Sequence, residues 1–569
     1  MIKKALCAIA NSIWIASCAK GWSLFDKAAF EPLENQIVLL FEILKNNKNT
    51  IYGKRFNFSQ ISTYEDYRRM VPLSTYMDYE RYIKDIGSGD NNVLTQENVN
   101  MFEVTSGSTA ASKLIPYTNT LKSQFRKGIN SWIYNLYISN KRLLPGKSYW
   151  SITPVCEATK KRDSKVPVGF EEDTEYLWVF QRIFSKFLFS VPNEVKKILD
   201  IDTFRYVTLL FLLKEKDLRL ISVWNPTFLI LLLRPLNDWF ENIVQDLEQG
   251  CINPPSELEE DLRKTLSKKL GRNPKRAAEL LKSYSETQDI NLLYAKIWPK
   301  LEVISCWADA NARPIIPQIQ KCFPDAHIQP KGLIATEGFI SFPIYNIIGG
   351  ALAIKSHFFE FIEFDYKNNE LLVDNVVTVN ELAKGKTYSI VITTGGGFYR
   401  YMLQDLIRVV GFYRSCPMVE FIGKEDKTSD YFGEKLNENH VDSVLKKILN
   451  KYEIEPAFVM VAPELNSSGG SGYYTLFLEI VNRNASFEDN IFKKIANDFE
   501  SELMDNFHYR YCRELKQLSE IKLFLISKNG LEAYLNGCVE MGQKLGNIKP
   551  TVLSNRTGWS NKFTGKFLF

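Results

Sequence analysis

The chain has 569 residues, a formal net charge of +5, 45% hydrophobic residues and 24% charged residues. That balance excludes a disordered or fibrous chain and gives no electrostatic ground for nucleic acid as a partner; the length allows roughly two to four domains. Nine cysteines form no CxxC pair, and His327, His357, His440 and His508 show no metal-ligand spacing, so free thiols in a reducing, cytoplasmic compartment are expected.

The first segment, MIKKALCAIANSIWIASCAKGW, imitates an export signal but is interrupted by Asn11 and Ser12. It runs on into AKGWSLFDKAAFEPLENQIVLLFEIL, and the expectation is one continuous native amphipathic helix in a helical region spanning 1–90. No transmembrane segment is expected: no apolar run nears ~18 residues, and FLILLL at 228–233 reads as core between Pro226 and Arg234. From residue 99 the strand-like NMFEV, KSYWSIT, LRLISVW, LEVISCW and HIQPKGLIA alternate with helices. Several end in small or polar residues, the habit of an α/β sheet that binds ligands at its strand ends. Asn225 can cap a helix with Pro226 at its first position.

A β-rich block follows, YSIVITTGGGFYRYMLQDLIRVVGFYRSCPMVEFIG, with Gly395, Gly396 and Gly397 suited to a turn. Beyond Gly423 the polar KEDKTSDYFGEKL reads as a hinge, followed by helix, two strands, helix, strand and helix. HVDSVLKKIL aligns Val441, Val444, Leu445, Ile448 and Leu449, and the next helix aligns Ile491, Ile495 and Phe499. The expected fold class is therefore α/β: a large N-terminal domain, 1–423, with β-sheets and surrounding helices, and a small, mobile α+β C-terminal domain, 424–569.

Four stretches carry candidate chemistry. TSGSTAASKLIPYT (105–118) lacks the lysine that directly follows the last glycine of a Walker A loop. It resembles instead the Ser/Thr/Gly phosphate loop of the acyl-adenylate-forming superfamily, with Ala110 and Ala111 departing from the usual pattern. On that resemblance Thr105, Ser106, Gly107, Ser108 and Thr109 wrap the phosphates of ATP and Lys113 offsets their charge; the plain alternative is a linker. ATEGF places Ala335, Thr336, Glu337 and Gly338 beside the nucleotide, with Glu337 as an oxygen ligand for Mg²⁺. The plain alternative there is a helix capped by Thr336.

YRYMLQDLIRVVGF followed by VEFIGKEDKTSDYFGEKL resembles the superfamily stretch in which Asp405 accepts hydrogen bonds from the ribose hydroxyls. Lys424, standing for the usual arginine, and Asp426 fall at the hinge; the alternative is a β-hairpin with one exposed acid. In GNIKP, Lys549 matches a late lysine that swings in to assist adenylation, or is an exposed lysine before Pro550.

Taken in chain order, the N-terminal helix leading to NTIYGKRFNF, then LIPYT, YRYMLQDLIRVVGFYRSCPMVEFIG and GNIKP resemble the auxin-responsive (Gretchen Hagen) acyl acid amido synthetases, their bacterial branch most closely. The resemblance implies a monomeric ligase that uses ATP and Mg²⁺ to adenylate a carboxylic acid. The acyl group then passes to an amine or amino acid, with Lys113, Glu337 and Lys549 in catalytic roles. By position in the family, VPVGFEEDTEY (166–176) and GFISFPIYN (338–346) flank the acyl pocket. An acyl-CoA ligase shares the first half-reaction, and a non-catalytic scaffold is the other rival; retention of Thr336, Glu337 and Asp405 argues against the scaffold. Neither the acid nor the amine is named by the sequence.

Overall fold

The computed structural model describes residues 2–104, 113–151, 164–169, 187–224, 226–287, 289–365, 370–425, 428–429, 434, 436–465, 472–481, 489–514, 518–541, 543, 545 and 548–568. They divide into two compact units, one of Met1–Leu403 with Ile407–Phe421 and one of Gln404–Leu406 with Ile422–Phe569.

The first unit begins with helices, yet not with one continuous helix. Ile2–Ala28 and Pro32–Asn47 are separate, because Pro32 lacks an N–H and its ring clashes with a preceding helical turn. It is accommodated as the first residue of the second helix. Ala10, Trp14, Cys18 and Phe25 of the first helix are buried in the main core. Among the described residues no helix is long and apolar enough to cross a membrane.

The expected strand-and-helix alternation is present. Lys147–Trp150, Leu218–Ser222, Val303–Cys306 and His327–Pro330 lie adjacent in that order, all parallel. Helices Ile201–Lys214 and Leu236–Gln249 close an apolar core against this sheet. The helix Pro226–Leu233 begins at Pro226 as expected; Asn225 lies outside the described residues.

The β-rich block forms a seven-stranded sheet. Its order is Ser341–Pro343, Gly350–Leu352, Cys416–Lys424, Tyr401–Tyr413, Thr387–Thr393, Phe358–Asp365 and Glu370–Val377. The triple glycine makes the turn between two of these strands. Gly397 has φ +100°, and a Cβ there would fall 2.6 Å from Leu94 Cβ, so both backbone and space require glycine.

In the second unit, strands Pro456–Leu465, Gly472–Ile480, Lys522–Ile526 and Gly565–Phe567 form one sheet in that order. Helix Glu438–Lys451 buries all five of its predicted apolar positions. Helix Asp489–Leu503 buries Phe492, Ile495, Ala496 and Phe499, with Ile491 only half-buried at the margin.

Candidate active site

The Ser/Thr/Gly segment is rooted in a β-hairpin. Met101–Val104 pairs antiparallel with Leu114–Tyr117, Val104 opposite Leu114, so both ends of the segment are held by a ladder. Thr105, Ser106, Gly107, Ser108 and Thr109 themselves lie outside the described residues. Lys113 is half-buried, its Nζ 5.7 Å from the Tyr76 ring centroid, within cation–π range. The Tyr76 hydroxyl accepts from Leu114 N–H at 2.8 Å and ties the hairpin to the helix Tyr76–Gly87.

Thr336 and Glu337 do not start a helix. Ile334 pairs with Phe339 and Ala335 with Gly338, leaving Thr336 and Glu337 as a two-residue β-turn. Two tertiary contacts fix it. The Tyr117 hydroxyl donates to the Thr336 carbonyl at 2.8 Å, joining the turn to the hairpin. Phe339 N–H donates to His357 Nε2 at 2.9 Å, and a side chain on Gly338 would meet the same imidazole at 3.1 Å. Ala335, Thr336 and Glu337 remain half-buried, within reach of a ligand. The neighbouring Phe339, Ile340 and Phe342, expected beside an acyl pocket, are instead packed in the main core. Residues 170–176 of the other expected pocket segment lie outside the described residues.

Because His357 accepts through Nε2, its proton belongs on Nδ1. Burial first, then the nearby Lys127 charge, lowers its pKa from 6.5 to about 3. The unfolded chain therefore binds a proton near pH 6.5 that the folded chain refuses until about pH 3. Between those values stability is lost as pH falls, by up to ~1.4 kcal/mol per pH unit from this group. His357→Gln keeps an acceptor for Phe339 N–H and should flatten that dependence. Equal slopes of denaturant midpoint against pH for the two proteins, from pH 6.5 to 4, would count against the buried neutral imidazole.

Asp405 is not an exposed acid. It lies on Tyr401–Tyr413 with 4% exposure, and Lys424 Nζ stands 3.0 Å from its Oδ1. The ammonium offsets the desolvation of a buried carboxylate. Its neighbour Gln404 has φ 59°, a left-handed backbone that costs energy for a non-glycine residue. Lys424 ends the strand Cys416–Lys424 and is itself partly exposed. Asp426 lies outside the described residues. Lys549 is exposed, and its carbonyl accepts from the Tyr534 hydroxyl at 3.1 Å. Lys113 and Glu337 thus belong to the first unit, Asp405, Lys424 and Lys549 to the second.

Tyr117 and His357 carry positioning roles that no sequence pattern assigns. Tyr117 falls inside the recognised LIPYT, but its hydroxyl reaches a residue far along the chain. His357 has no local pattern that distinguishes it.

Residues 23–328 match the GH3 family N-terminal domain, 350–424 the GH3 family central domain and 438–558 the GH3 family C-terminal domain. Indole-3-acetic acid-amido synthetase GH3.4 of Arabidopsis thaliana is 23% identical over 548 residues, covering 93% of this chain and 90% of the relative. Jasmonoyl--L-amino acid synthetase JAR4 of Nicotiana attenuata is 21% identical over 531 residues, covering 90% and 89%. The solved structure of AtGH3.15 acyl acid amido synthetase in complex with 2,4-DB shares the fold, with a TM-score of 0.80 at 19% identity over 95% of each chain. These relatives are plant proteins, so the likeness to a bacterial branch finds no support in them. With three successive family domains matched in order along one chain, this protein belongs to the GH3 family.

Proposed function

We propose that this protein is an ATP-dependent, AMP-forming acyl acid amido synthetase that joins a carboxylic acid to an amine, most simply an amino acid. The carrying observation is the Tyr117–Thr336 hydrogen bond at 2.8 Å. It fastens the turn bearing Glu337 to the hairpin that roots residues 105–113, the two elements an adenylating site must bring to one nucleotide. The relatives' names, an indole-3-acetic acid-amido synthetase and a jasmonoyl-amino acid synthetase, support the same chemistry.

In the first step a carboxylate oxygen attacks the α-phosphorus of ATP and pyrophosphate leaves. In the second a neutral amine attacks the acyl carbon, AMP departs and the nitrogen loses a proton. Two anions meet in the first step, so charge stabilisation lowers its barrier. Lys113 supplies positive charge at the hairpin and Lys549, in this reading, on approach of the C-terminal unit about the hinge near Lys424. Among the described residues no group of three His, Cys, Asp or Glu side chains converges as a self-sufficient metal site. Glu337 fits a different arrangement, in which one carboxylate shares Mg²⁺ with substrate phosphates. Bound there, Mg²⁺ would neutralise phosphate charge. The eight described cysteines are free thiols, and in this reading the enzyme works as a monomer in the cytoplasm.

The test has two stages. With Mg²⁺, ATP and a panel of carboxylic acids, labelled pyrophosphate should exchange into ATP. An amino acid should then raise AMP release and appear in an acyl-amide by mass spectrometry, while coenzyme A does neither. A thioester formed at comparable rate from coenzyme A would replace this reading with the acyl-CoA ligase. No exchange with any acid, and no ATP binding by calorimetry, would leave the scaffold.

Asp405→Ala removes the ribose partner in this reading, while Lys424, already partly exposed, can be solvated. A hydrogen bond to a charged group contributes about 1.5–3 kcal/mol, so ATP affinity should fall roughly 10- to 100-fold in a folded protein. Unchanged affinity by calorimetry would show that Asp405 does not meet the ribose.

A further inference from the structure

Lys549 is exposed, yet the chain on either side of it is fastened. Ile548 before it is buried, and the Tyr534 hydroxyl holds the Lys549 carbonyl itself. Beyond Pro550 the chain runs beside the strand Pro456–Leu465. Val461 N–H donates to the Val552 carbonyl at 2.7 Å, and Ser554 N–H donates to the Val461 carbonyl at 2.8 Å. Three further donors of this stretch converge on one atom. The Thr551 hydroxyl and Val552 N–H, the latter at 2.9 Å, both donate to Glu438 Oε1. Leu553 N–H reaches the same oxygen at 3.5 Å.

Glu438 is the first residue of the helix Glu438–Lys451 and is 4% exposed. A carboxylate suits both demands of that place. It is favoured at a helix N-terminus, and an ionised oxygen holds several donors at once because charge-assisted hydrogen bonds are roughly twice as strong as neutral ones. Its place in the chain is equally telling. Asn437, directly before it, pairs with Thr428, four residues beyond Lys424, and Leu436 pairs with Ser429. The residue that follows the hinge segment is thus the one that grips the chain of the lysine. Two residues of extended chain span only ~7 Å, so the hold on Thr551 confines the Lys549 backbone. All of these groups belong to the second unit.

We propose that Glu438 is a positioning residue for Lys549, tying the lysine-bearing chain to the end of the hinge so that the ammonium arrives at the α-phosphate in one fixed pose. The proposal rests on the ligase reading above. Glu438 touches no substrate and acts through Lys549, so it serves adenylation and not amine transfer. A catalytic group misplaced by about 1 Å can cost ~100-fold in rate, which is the scale on which such a tie matters.

Pyrophosphate exchange is measured on the full-length natural protein, Glu438→Ala, Glu438→Gln, Lys549→Ala and the double variant Glu438→Ala with Lys549→Ala. Benzoate, indole-3-acetate and hexanoate are the acids. The acid exchanged fastest also supplies a prepared acyl-adenylate, whose transfer to a mixture of the common amino acids is followed separately. Glu438→Ala should lower kcat for exchange roughly 10- to 100-fold, with the KM for ATP unchanged and acyl transfer within about threefold of the natural rate. Glu438→Gln keeps an acceptor oxygen and should recover most of the loss. The double variant should be no slower than Lys549→Ala, because the two residues act as one unit. Natural exchange by Glu438→Ala or by Lys549→Ala would overturn the proposal and leave the ligase reading standing. So would an equal loss in acyl transfer, or a double variant slower than Lys549→Ala by the full Glu438→Ala factor. If Glu438→Ala does not fold, Thr551→Val withdraws one donor and enters the same cycle, where unchanged exchange overturns the proposal equally. No exchange by the natural protein with any of the three acids would refute the ligase reading for them, and the proposal with it.

Discussion

Glu337→Gln should lower kcat about 100- to 1,000-fold, the loss typical when one preorganised electrostatic contact to a transition state is removed. The substitution keeps the size of the side chain and removes its charge. The backbone of the turn is held independently, by Tyr117 on the Thr336 carbonyl and by His357 on Phe339 N–H, so the position itself should survive. Glu337 is half-buried and not part of the core, so stability should change little. The Mg²⁺ concentration needed for half-maximal exchange should rise, because a neutral amide is a poorer ligand for a hard cation. A variant with kcat within threefold of the natural protein and the same Mg²⁺ dependence would remove Glu337 from the site. A parallel loss in the Tyr117→Phe variant would show instead that the turn's placement, and not its charge, is limiting.

What the sequence disclosed about this site follows from how local each signal is. The strand leading into residues 105–113 and the strand–turn–strand around Thr336 are short-range patterns, and both are legible as runs of apolar residues interrupted by small polar ones. Whether Thr336 caps a helix or occupies a hairpin is not local. The same residue types serve both, and Tyr117 and His357, distant in the chain, settle the outcome. Asp405 reads as an acid on a strand, yet its burial depends on Lys424, supplied by another strand of the same sheet. The cluster in which Lys331 donates to Ser222 and faces three tryptophan rings is the extreme case. Trp132, Trp150, Trp224 and Lys331 come from four separate elements, and strand register together with one helix crossing assembles them. Conversely, the break between the two N-terminal helices is legible at Pro32. Apolar periodicity runs through residue 32, but proline's missing N–H overrides periodicity there.

The YR pair before Asp405 matters to the fold in a way its motif does not reveal, and Glu360→Ala should expose it. Arg400 has φ 47° and 4% exposure, so both its backbone and its charge are held at some cost. Its Nε donates to both Glu360 oxygens, at 3.2 and 3.0 Å, and its guanidinium also donates to the carbonyls of Arg68 at 3.1 Å and Val71 at 2.9 Å. Glu360 in turn accepts from the Tyr64 hydroxyl at 2.9 Å. The carboxylate thus joins the strand Phe358–Asp365, next to the sheet's edge, to the helix Tyr64–Met70 and to the start of the strand carrying Asp405. Removing it leaves a guanidinium buried without its counter-charge, and breaking such a pair typically costs about 3–5 kcal/mol. The paired variant Glu360→Met with Arg400→Met should recover most of that loss, because apolar side chains of similar volume need no desolvation to be offset. Nine of the ten tryptophans precede residue 404, so urea unfolding followed by tryptophan emission reports chiefly on the first unit, where the pair lies. A loss below about 1 kcal/mol in the single variant, or a double variant no more stable than the single, would show that the guanidinium finds another partner or water once Glu360 is gone.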